Sequence, residues 1–136
     1  MKKILVIDGQ GGRLGSELVE NLLKLKEEFE LVAIGTNVLA TQAMIKAGCN
    51  MCATGENPVV FNSKTADLII GPIGIVIANS LLGEITPKMA RAVGESPGKK
   101  ILIPINKCDN FVIAAQTHNF KDLVDMAIEK VKQELA

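Results

Sequence analysis

The residues that could do chemistry in this 136-residue chain follow apolar runs, at positions where a strand would end. Asp8 precedes the glycine-rich stretch GQGGRLG at 9–15, and Thr36 and Asn37 follow the apolar run 30–35. Glycines let a backbone approach a phosphate closely, and the N–H groups at the start of a helix point towards bound anions. The spacing therefore predicts an anion-binding turn.

The predicted cofactor-binding residues all lie in turns that follow strands: Gly9, Gln10, Gly11, Gly12, Arg13, Gly15, Thr36, Asn37, Gly71, Ile73 and Gly74. The first turn would hold a phosphate, the second would face a ribose, and the third would form the opposite wall. No Gly-Lys-Ser/Thr sequence follows the first turn, which excludes a Walker-type phosphate loop. The alternative is that these glycines only relieve a tight turn and let a helix pack closely on a sheet.

Four residues are candidates for catalysis: Asp8, Glu56, Glu84 and Cys108. Two carboxylates across a cleft could act as acid and base, and Cys108 could act as a nucleophile with His118 as its base. Each residue also has a structural alternative. Asp8 could order the turn by accepting hydrogen bonds from its amides, and the glutamates could be exposed loop charges.

The composition limits the partners of the chain. Its 15 acidic and 15 basic residues balance, and it has no Tyr or Trp, so nucleic acid is not expected. The longest apolar region, 68–82, is too interrupted by Gly, Pro and polar residues to span a bilayer. Three cysteines without an export signal indicate a reducing cytoplasm. Cys49 and Cys52 form a lone CxxC, which is a weak zinc signal, and no metal site is predicted.

Short apolar runs alternate with amphipathic ones along the whole chain. Strands are predicted at 3–8, 30–35, 50–54, 66–71, 99–105 and 110–115, and helices over 15–29, 37–48, 58–63, 73–83, 87–94 and 119–136. This alternation predicts one domain over 1–136, a small doubly wound Rossmann-like three-layer α/β sandwich with a mostly parallel sheet. The short turn between the last two strands predicts an antiparallel edge strand.

The predicted strand order, 3-2-1-4-5, places the exits of the first and fourth strands at the point where the order reverses. Ligands of open α/β sheets bind in the crevice at that point. The predicted helix over 73–83 is apolar on nearly every side. Such a helix is hard to bury inside a domain of this size, so it predicts a homodimer.

The stretch GQGGRLGSELV resembles the opening of the extended short-chain dehydrogenases/reductases, which begin with a strand, G-x-x-G-x-x-G and a helix. By this resemblance Gly9, Gly12 and Gly15 would be the dinucleotide glycines. Two features depart from that pattern. The second strand ends in IGTN, without the acid that binds the ribose of NAD. The chain also has no tyrosine, which excludes the Tyr-Lys chemistry of that family.

The succession VIDGQGGRLG, AIGTN, ATGEN, GPIGIVIANS, GEITP and ILIPINKC resembles a family of small bacterial Rossmann-like proteins classed as a domain of unknown function. The resemblance covers almost the whole chain and implies the fold and the crevice, but no reaction. The function expected is binding of a nucleotide or phosphorylated metabolite, with NAD(P) or another nucleotide as candidate cofactor, by a sensor or accessory subunit. The alternatives are a small enzyme acting on a phosphorylated or carboxylated metabolite, and a homodimeric interaction module without a small-molecule ligand.

Overall fold

The computed structural model describes residues 1–105, 109–113 and 118–136, in which strands and helices alternate. The strands are β1 (Lys3–Asp8), β2 (Glu30–Gly35), β3 (Met51–Thr54), β4 (Leu68–Pro72) and β5 (Lys99–Ile103). The α-helices are α1 (Arg13–Leu22), α2 (Val38–Lys46), α3 (Glu56–Ser63), α4 (Pro87–Glu95) and α5 (Phe120–Leu135). A short 3-10 helix, Ile73–Val76, follows β4 directly. Within these described ranges, no helix combines the length and the apolar character needed to cross a membrane.

The described strands form one sheet in the order β3-β2-β1-β4-β5, and each pair of neighbours is parallel. The register places Asp8, the last residue of β1, beside Gly35, the last residue of β2. The predicted strand order is therefore confirmed. The carboxyl ends of β1 and β4 lie side by side where the order reverses, which is the place where ligands of open α/β sheets bind.

The alternation of side chains along β1 divides the core into two layers. Ile4 and Val6 pack in a cluster with apolar residues of α1, α2 and α5. Leu5 and Ile7 pack in a second cluster with apolar residues of α3 and α4. All four side chains are fully buried, and burial of each contributes roughly 1.5–3 kcal/mol. The molecule is therefore the three-layer α/β sandwich that the sequence predicts.

Two departures from the predicted helix bounds have a clear local cause. α1 ends at Leu22 rather than at residue 29, because the helical spacing of apolar residues continues through the turn that follows it. α3 begins at Glu56, behind Gly55, instead of behind Asn57. Gly55 has a φ of 102°, so the chain turns sharply at this glycine and the helix starts earlier than the Asn-Pro pair indicates.

The predicted apolar helix over 73–83 is wrong beyond its first turn. The chain leaves the 3-10 helix and passes through left-handed backbone at Leu81 and Leu82, each with a φ of 56°. The segment is rich in Ile and Val, whose branched side chains disfavour a helix, and the Ser80 hydroxyl donates to the Gly74 carbonyl instead. Leu81 is buried in the core and Leu82 is 95% exposed. A loop therefore replaces the helix that suggested a homodimer.

The predicted antiparallel edge strand over 110–115 is also wrong as far as the structure describes it. Residues 109–113 form turns and irregular backbone, and residues 114 and 115 lie outside the described residues. Phe111 and Ile113 are 98% and 91% exposed. Short apolar runs do not distinguish a buried strand from a loop, and the described sheet is entirely parallel.

Candidate functional site

Asp8 lies at the end of β1, next to the glycine turn, with only 2% of its surface exposed. Its carboxylate accepts hydrogen bonds from the N–H of Gly9 (2.8 Å) and from the N–H of Gly15 (2.6 Å) in the first turn of α1. The cap residue of α1, Gly12, has no side chain that could accept these bonds. Asp8 therefore orders the turn and stabilises the start of α1, which is one of the two roles open to it from the sequence.

The surroundings of Asp8 shift its pKa in both directions. Burial raises the pKa from 3.8 to about 6, although the hydrogen bonds from Gly15 and Gly9 lower it. The negative charge of Glu84 raises it by a smaller amount. Asp8 therefore takes up a proton in mildly acidic solution, where it would repel a bound anion less.

Glu84 reaches the glycine turn from the loop before α4. One of its carboxylate oxygens, Oε1, accepts hydrogen bonds from the N–H of Gln10 (2.9 Å), the hydroxyl of Thr36 (2.5 Å) and the side-chain amide of Asn37 (3.0 Å). Within the described part of the chain, its second oxygen, Oε2, accepts no hydrogen bond. The two residues predicted to face a ribose are therefore bonded to a carboxylate of the chain itself.

Glu84 is held as an anion in this position. Burial raises its pKa, but the hydrogen bonds from Thr36, Gln10 and Asn37 lower it more, so the pKa lies below its ordinary value. The close contact depends on Gly9, where a Cβ would lie 2.5 Å from Thr36 Oγ1 and 2.7 Å from Glu84 Oε1. Asn37 also donates to the carbonyl of Gln10 (2.9 Å), and its side-chain oxygen caps α2.

The two internal carboxylates leave part of the glycine turn unbonded. The N–H groups of Gly11, Arg13 and Leu14 donate to no atom in residues 1–105, 109–113 and 118–136. Gly12 has a φ of 77°, and a Cβ there would lie 2.8 Å from the Cα of Ala40, so the packing of α1 on α2 requires this glycine. A Cβ at Gly11 would meet nothing within 4 Å. The turn therefore contains Gly12, which the packing requires, Gly11, where a side chain would meet open space, and three backbone N–H groups that are free to donate.

A cleft of about 320 Å³ opens beside these donors. Residues 8–14 form one of its walls, and Ile105 and Phe120 line it as well. The guanidinium carbon of Arg13 lies 3.9 Å from the centre of the Phe120 ring, which is a cation–π contact. The volume is at the lower end of the range of ligand pockets and suits a small anion or a phosphorylated sugar.

The cleft brings together the first group of predicted residues but not the predicted opposite wall. Gly71, Ile73 and Gly74 do not line its described walls. Gly71 is instead packed against β1, where a Cβ would lie 2.3 Å from a carbonyl oxygen. Ile105 and Phe120 are not among the predicted site residues. Ile105 follows β5, so it lies at the edge of the sheet where the strand exits meet. No motif indicates that the start of α5 also meets the glycine turn.

Of the remaining catalytic candidates that the structure describes, Glu56 does not line the cleft. The carboxylate of Glu56 accepts a hydrogen bond from the hydroxyl of Thr86 (2.6 Å), which also caps α4 as the sequence predicts. Glu56 therefore ties the start of α3 to the start of α4. His118 is exposed, and Cys108 lies outside the described residues.

In the CxxC pair, Cys49 lies just before β3 and Cys52 lies within it. Cys49 is buried, and the thiol of Cys52 donates to the Cys49 carbonyl (3.5 Å). Burial, and the neighbouring thiol of Cys49, raise the pKa of Cys52 to about 12. A thiol with this pKa is protonated and a poor nucleophile at neutral pH. In the part of the chain that the structure describes, no three His, Cys, Asp or Glu side chains come together as a metal site.

A larger cavity, of about 470 Å³, lies between α3 and α4. Its rim carries Lys64, Lys88 and Arg91, and apolar atoms of Val60 and Pro97 form part of its lining. Arg91 is already paired with Glu95 of the same helix. None of the predicted site residues that the structure describes lines this cavity. The smaller cleft is the better candidate site, because the unbonded backbone donors lie there.

The sequence matches one family model over residues 3–136, and that family is described as a domain of unknown function (DUF3842). The chain belongs to this family. The resemblance carried by the motifs of the crevice, from VIDGQGGRLG to ILIPINKC, is therefore confirmed over nearly the whole DUF3842 chain. No curated protein matches the sequence.

Two solved structures are similar to this DUF3842 protein in fold. One is a dodecameric FMN-dependent Ubix-like decarboxylase from Escherichia coli O157:H7, with 15% identity, coverage of 96% of this chain and 92% of that chain, and a TM-score of 0.51. The other is an arsenate reductase in the phosphate-binding state, with 16% identity, coverage of 99% and 97%, and a TM-score of 0.48. At 15% identity the likeness to the decarboxylase concerns the Rossmann-like α/β fold alone.

Proposed function

We propose that this chain binds a nucleotide or another phosphorylated metabolite in the cleft beside the glycine turn, as a sensor or accessory subunit. The observation that supports this most directly is the set of three unbonded N–H groups, those of Gly11, Arg13 and Leu14, at the start of α1. Hydrogen bonds to charged groups contribute about 1.5–3 kcal/mol each. Three such bonds contribute about 4.5–9 kcal/mol together, and the upper part of this range corresponds to micromolar binding, about −8 kcal/mol. The guanidinium of Arg13 adds a positive charge beside the same cleft.

Binding is favoured over catalysis by what the carboxylates near the turn already do. Asp8 accepts bonds from two backbone amides, Glu84 accepts three bonds on one oxygen, and Glu56 accepts one from Thr86. Each of these groups holds a loop or a helix start in place. A general acid or base needs to be within hydrogen-bond reach of the proton that it transfers, and both oxygens of Asp8 and one oxygen each of Glu84 and Glu56 are already bonded to the chain.

The test is titration of ¹⁵N-labelled protein with inorganic phosphate, AMP, NAD and FMN, followed by the amide signals of residues 9–15. FMN is included because a decarboxylase of similar fold depends on it. The likeness to that enzyme is one of fold alone. The informative variant is Gly11→Asp, since a side chain at Gly11 meets open space. Gly11→Asn is the neutral control of the same shape.

We expect at least one phosphate compound to shift the amide signals of Gly11, Arg13 and Leu14. The Gly11→Asp variant should bind it at least about tenfold more weakly, because the added carboxylate repels the phosphate at close range, whereas Gly11→Asn should stay within about threefold. If no compound shifts these signals, or if Gly11→Asp binds as tightly as the parent chain, the cleft is not a phosphate site.

We also propose that the chain forms a homodimer. Support for this comes from three large apolar side chains that are almost fully exposed: Leu82, Phe111 and Ile113. Light scattering should give twice the chain mass of 14.5 kDa. The variants Leu82→Ser and Phe111→Ser should shift the chain towards monomer with an unchanged circular dichroism spectrum. A monomer at every concentration tested would contradict the dimer.

A further inference from the structure

The end of β2 has no acidic residue of its own. In α/β domains that bind dinucleotides, a carboxylate about 20 residues after the glycine turn accepts hydrogen bonds from the ribose hydroxyls. β2 ends here at Gly35, and Thr36 and Asn37 follow it. These two side chains have a hydroxyl and an amide but no charge, so a ribose would be bound less strongly by them.

Glu84 brings a carboxylate to this place from another part of the chain. Its Oε1 bonds to both Thr36 and Asn37, and to the N–H of Gln10 in the glycine turn. It can reach them because the loop after the 3-10 helix reverses through Leu82 and Gly83, with φ values of 56° and 87°. Residue 84 is distant from β2 in sequence but adjacent to its end in space.

Two sets of contacts hold the loop 79–86, which carries Glu84, one before Glu84 and one after it. Before it, the N–H of Asn79 donates to the carbonyl of Ile85 (2.7 Å), which closes the loop on itself. After it, Thr86 caps α4 and donates to Glu56. The carboxylate is therefore presented in one position by the fold and is not a flexible surface charge.

Only one of the two carboxylate oxygens of Glu84 is used. Oε1 accepts three hydrogen bonds, whereas Oε2 accepts none in the described residues, and the side chain is partly exposed. A carboxylate oxygen with open lone pairs at the end of β2 is an acceptor for a ligand hydroxyl. We propose that Oε2 of Glu84 accepts a hydrogen bond from a ribose hydroxyl of a ligand whose phosphate lies at the start of α1.

This proposal rests on the proposed function and narrows the ligand class from phosphorylated metabolites to ribose phosphates and ribonucleotides. The turn 9–12 connects the two halves of such a site, because Gln10 both lines the cleft and donates to Glu84. The phosphate would be bound by the open donors of the turn, and the diol by Glu84. Thr36 and Asn37 would act as positioning residues that fix the carboxylate, not as direct ribose ligands.

The test uses three probes that share a phosphate and differ in the diol: inorganic phosphate, D-ribose 5-phosphate and 2-deoxy-D-ribose 5-phosphate. Each is titrated into ¹⁵N-labelled protein of the full chain, and dissociation constants are taken from the amide signals of residues 9–15. The variant is Glu84→Gln, which keeps an oxygen for the three donors but removes the charge. The control is Glu28→Gln, at an exposed carboxylate in the turn before β2.

We expect the parent chain and Glu28→Gln to bind ribose 5-phosphate about tenfold or more tightly than the deoxy sugar, which corresponds to one hydrogen bond to a charged acceptor. In Glu84→Gln this ratio should fall to about threefold or less, while inorganic phosphate should bind at least as tightly as it does to the parent chain, because a negative charge beside the turn is removed. If all three probes bind with similar affinity to the parent chain, the diol proposal is overturned and the phosphate site stands. If none binds, the proposed function fails and this inference fails with it.

Discussion

Replacing Asp8 by Asn should change how the stability of the protein depends on pH. Burial raises the pKa of Asp8 from 3.8 to about 6, so the folded protein holds this proton more tightly than the unfolded chain does. The stability that the protonated Asp8 contributes is fully present below pH 3.8 and is lost as the pH rises through about 6. One pKa unit corresponds to 1.36 kcal/mol, so the whole effect is about 3 kcal/mol. Of this, about 2 kcal/mol should be lost between pH 4 and pH 7.

The measurement is urea unfolding at several pH values, compared between the parent chain and Asp8→Asn. Circular dichroism is the probe, because the chain has no Trp or Tyr for fluorescence. The free energy of unfolding of the parent, minus that of Asp8→Asn, should fall by about 2 kcal/mol from pH 4 to pH 7. The Asn side chain cannot accept both amide bonds of the turn, but that cost is independent of pH and cancels in the comparison.

The sign of the change in this free-energy difference with pH tests whether the pKa of Asp8 is raised. If the difference in unfolding free energy is flat within about 0.5 kcal/mol, burial and the hydrogen bonds from Gly9 and Gly15 cancel and the pKa is not raised. If the difference rises with pH, the hydrogen bonds outweigh burial and the pKa lies below its ordinary value. Glu28→Gln, which removes an exposed carboxylate away from the glycine turn, is measured in parallel as the control for the loss of one acidic side chain.

Further outcomes follow from the backbone and from the caps. Gly12→Ala should lower the unfolding free energy by at least about 1 kcal/mol, because of the positive φ and the contact with α2, whereas Gly11→Ala should change it by less than about 0.5 kcal/mol in the same urea assay. Thr86→Ala should cost about 1–2 kcal/mol by loss of the α4 cap, and Thr86→Ser should restore most of it. Cys52 should stay unlabelled by a thiol reagent at pH 8 in the native protein, as read by peptide mass spectrometry, because of its pKa of about 12. Rapid labelling of Cys52 in the folded chain would contradict the raised pKa.

The sheet was predictable because its strands are continuous apolar runs. The segments 3–8 and 30–35 match β1 and β2 at every residue, since strands buried on both faces contain few polar interruptions. The same signal failed at 73–83 and 110–115, which are equally apolar. In the first, Leu81 enters the core from a loop, and in the second, Phe111 is in solvent. Apolar content predicts burial of a segment, but it does not fix the backbone that buries it.

The turns at the carboxyl end of the sheet were predictable for a different reason. A parallel sheet brings together the segments that follow its strands, whatever their sequence, so the neighbourhood of Asp8 and Thr36 follows from topology alone. The hydrogen-bond partner of Thr36 could not be predicted from the topology. Glu84 arrives by a loop with left-handed residues that no short motif encodes, and its place was visible only in three dimensions.

The distribution of charge around the glycine turn bears on the kind of ligand that fits it. Two carboxylates, Asp8 and Glu84, already accept three backbone N–H groups of the segment 9–15, so the turn stabilises internal anions before any ligand arrives. A phosphate bound at the proposed site would therefore lie beside negative charge, and it would be tolerated best where Asp8 holds its proton. Phosphate binding and protonation of Asp8 would then be linked, and each would favour the other by the same factor. A fully charged polyphosphate would meet the strongest repulsion, and a single phosphate on a neutral sugar would meet the least.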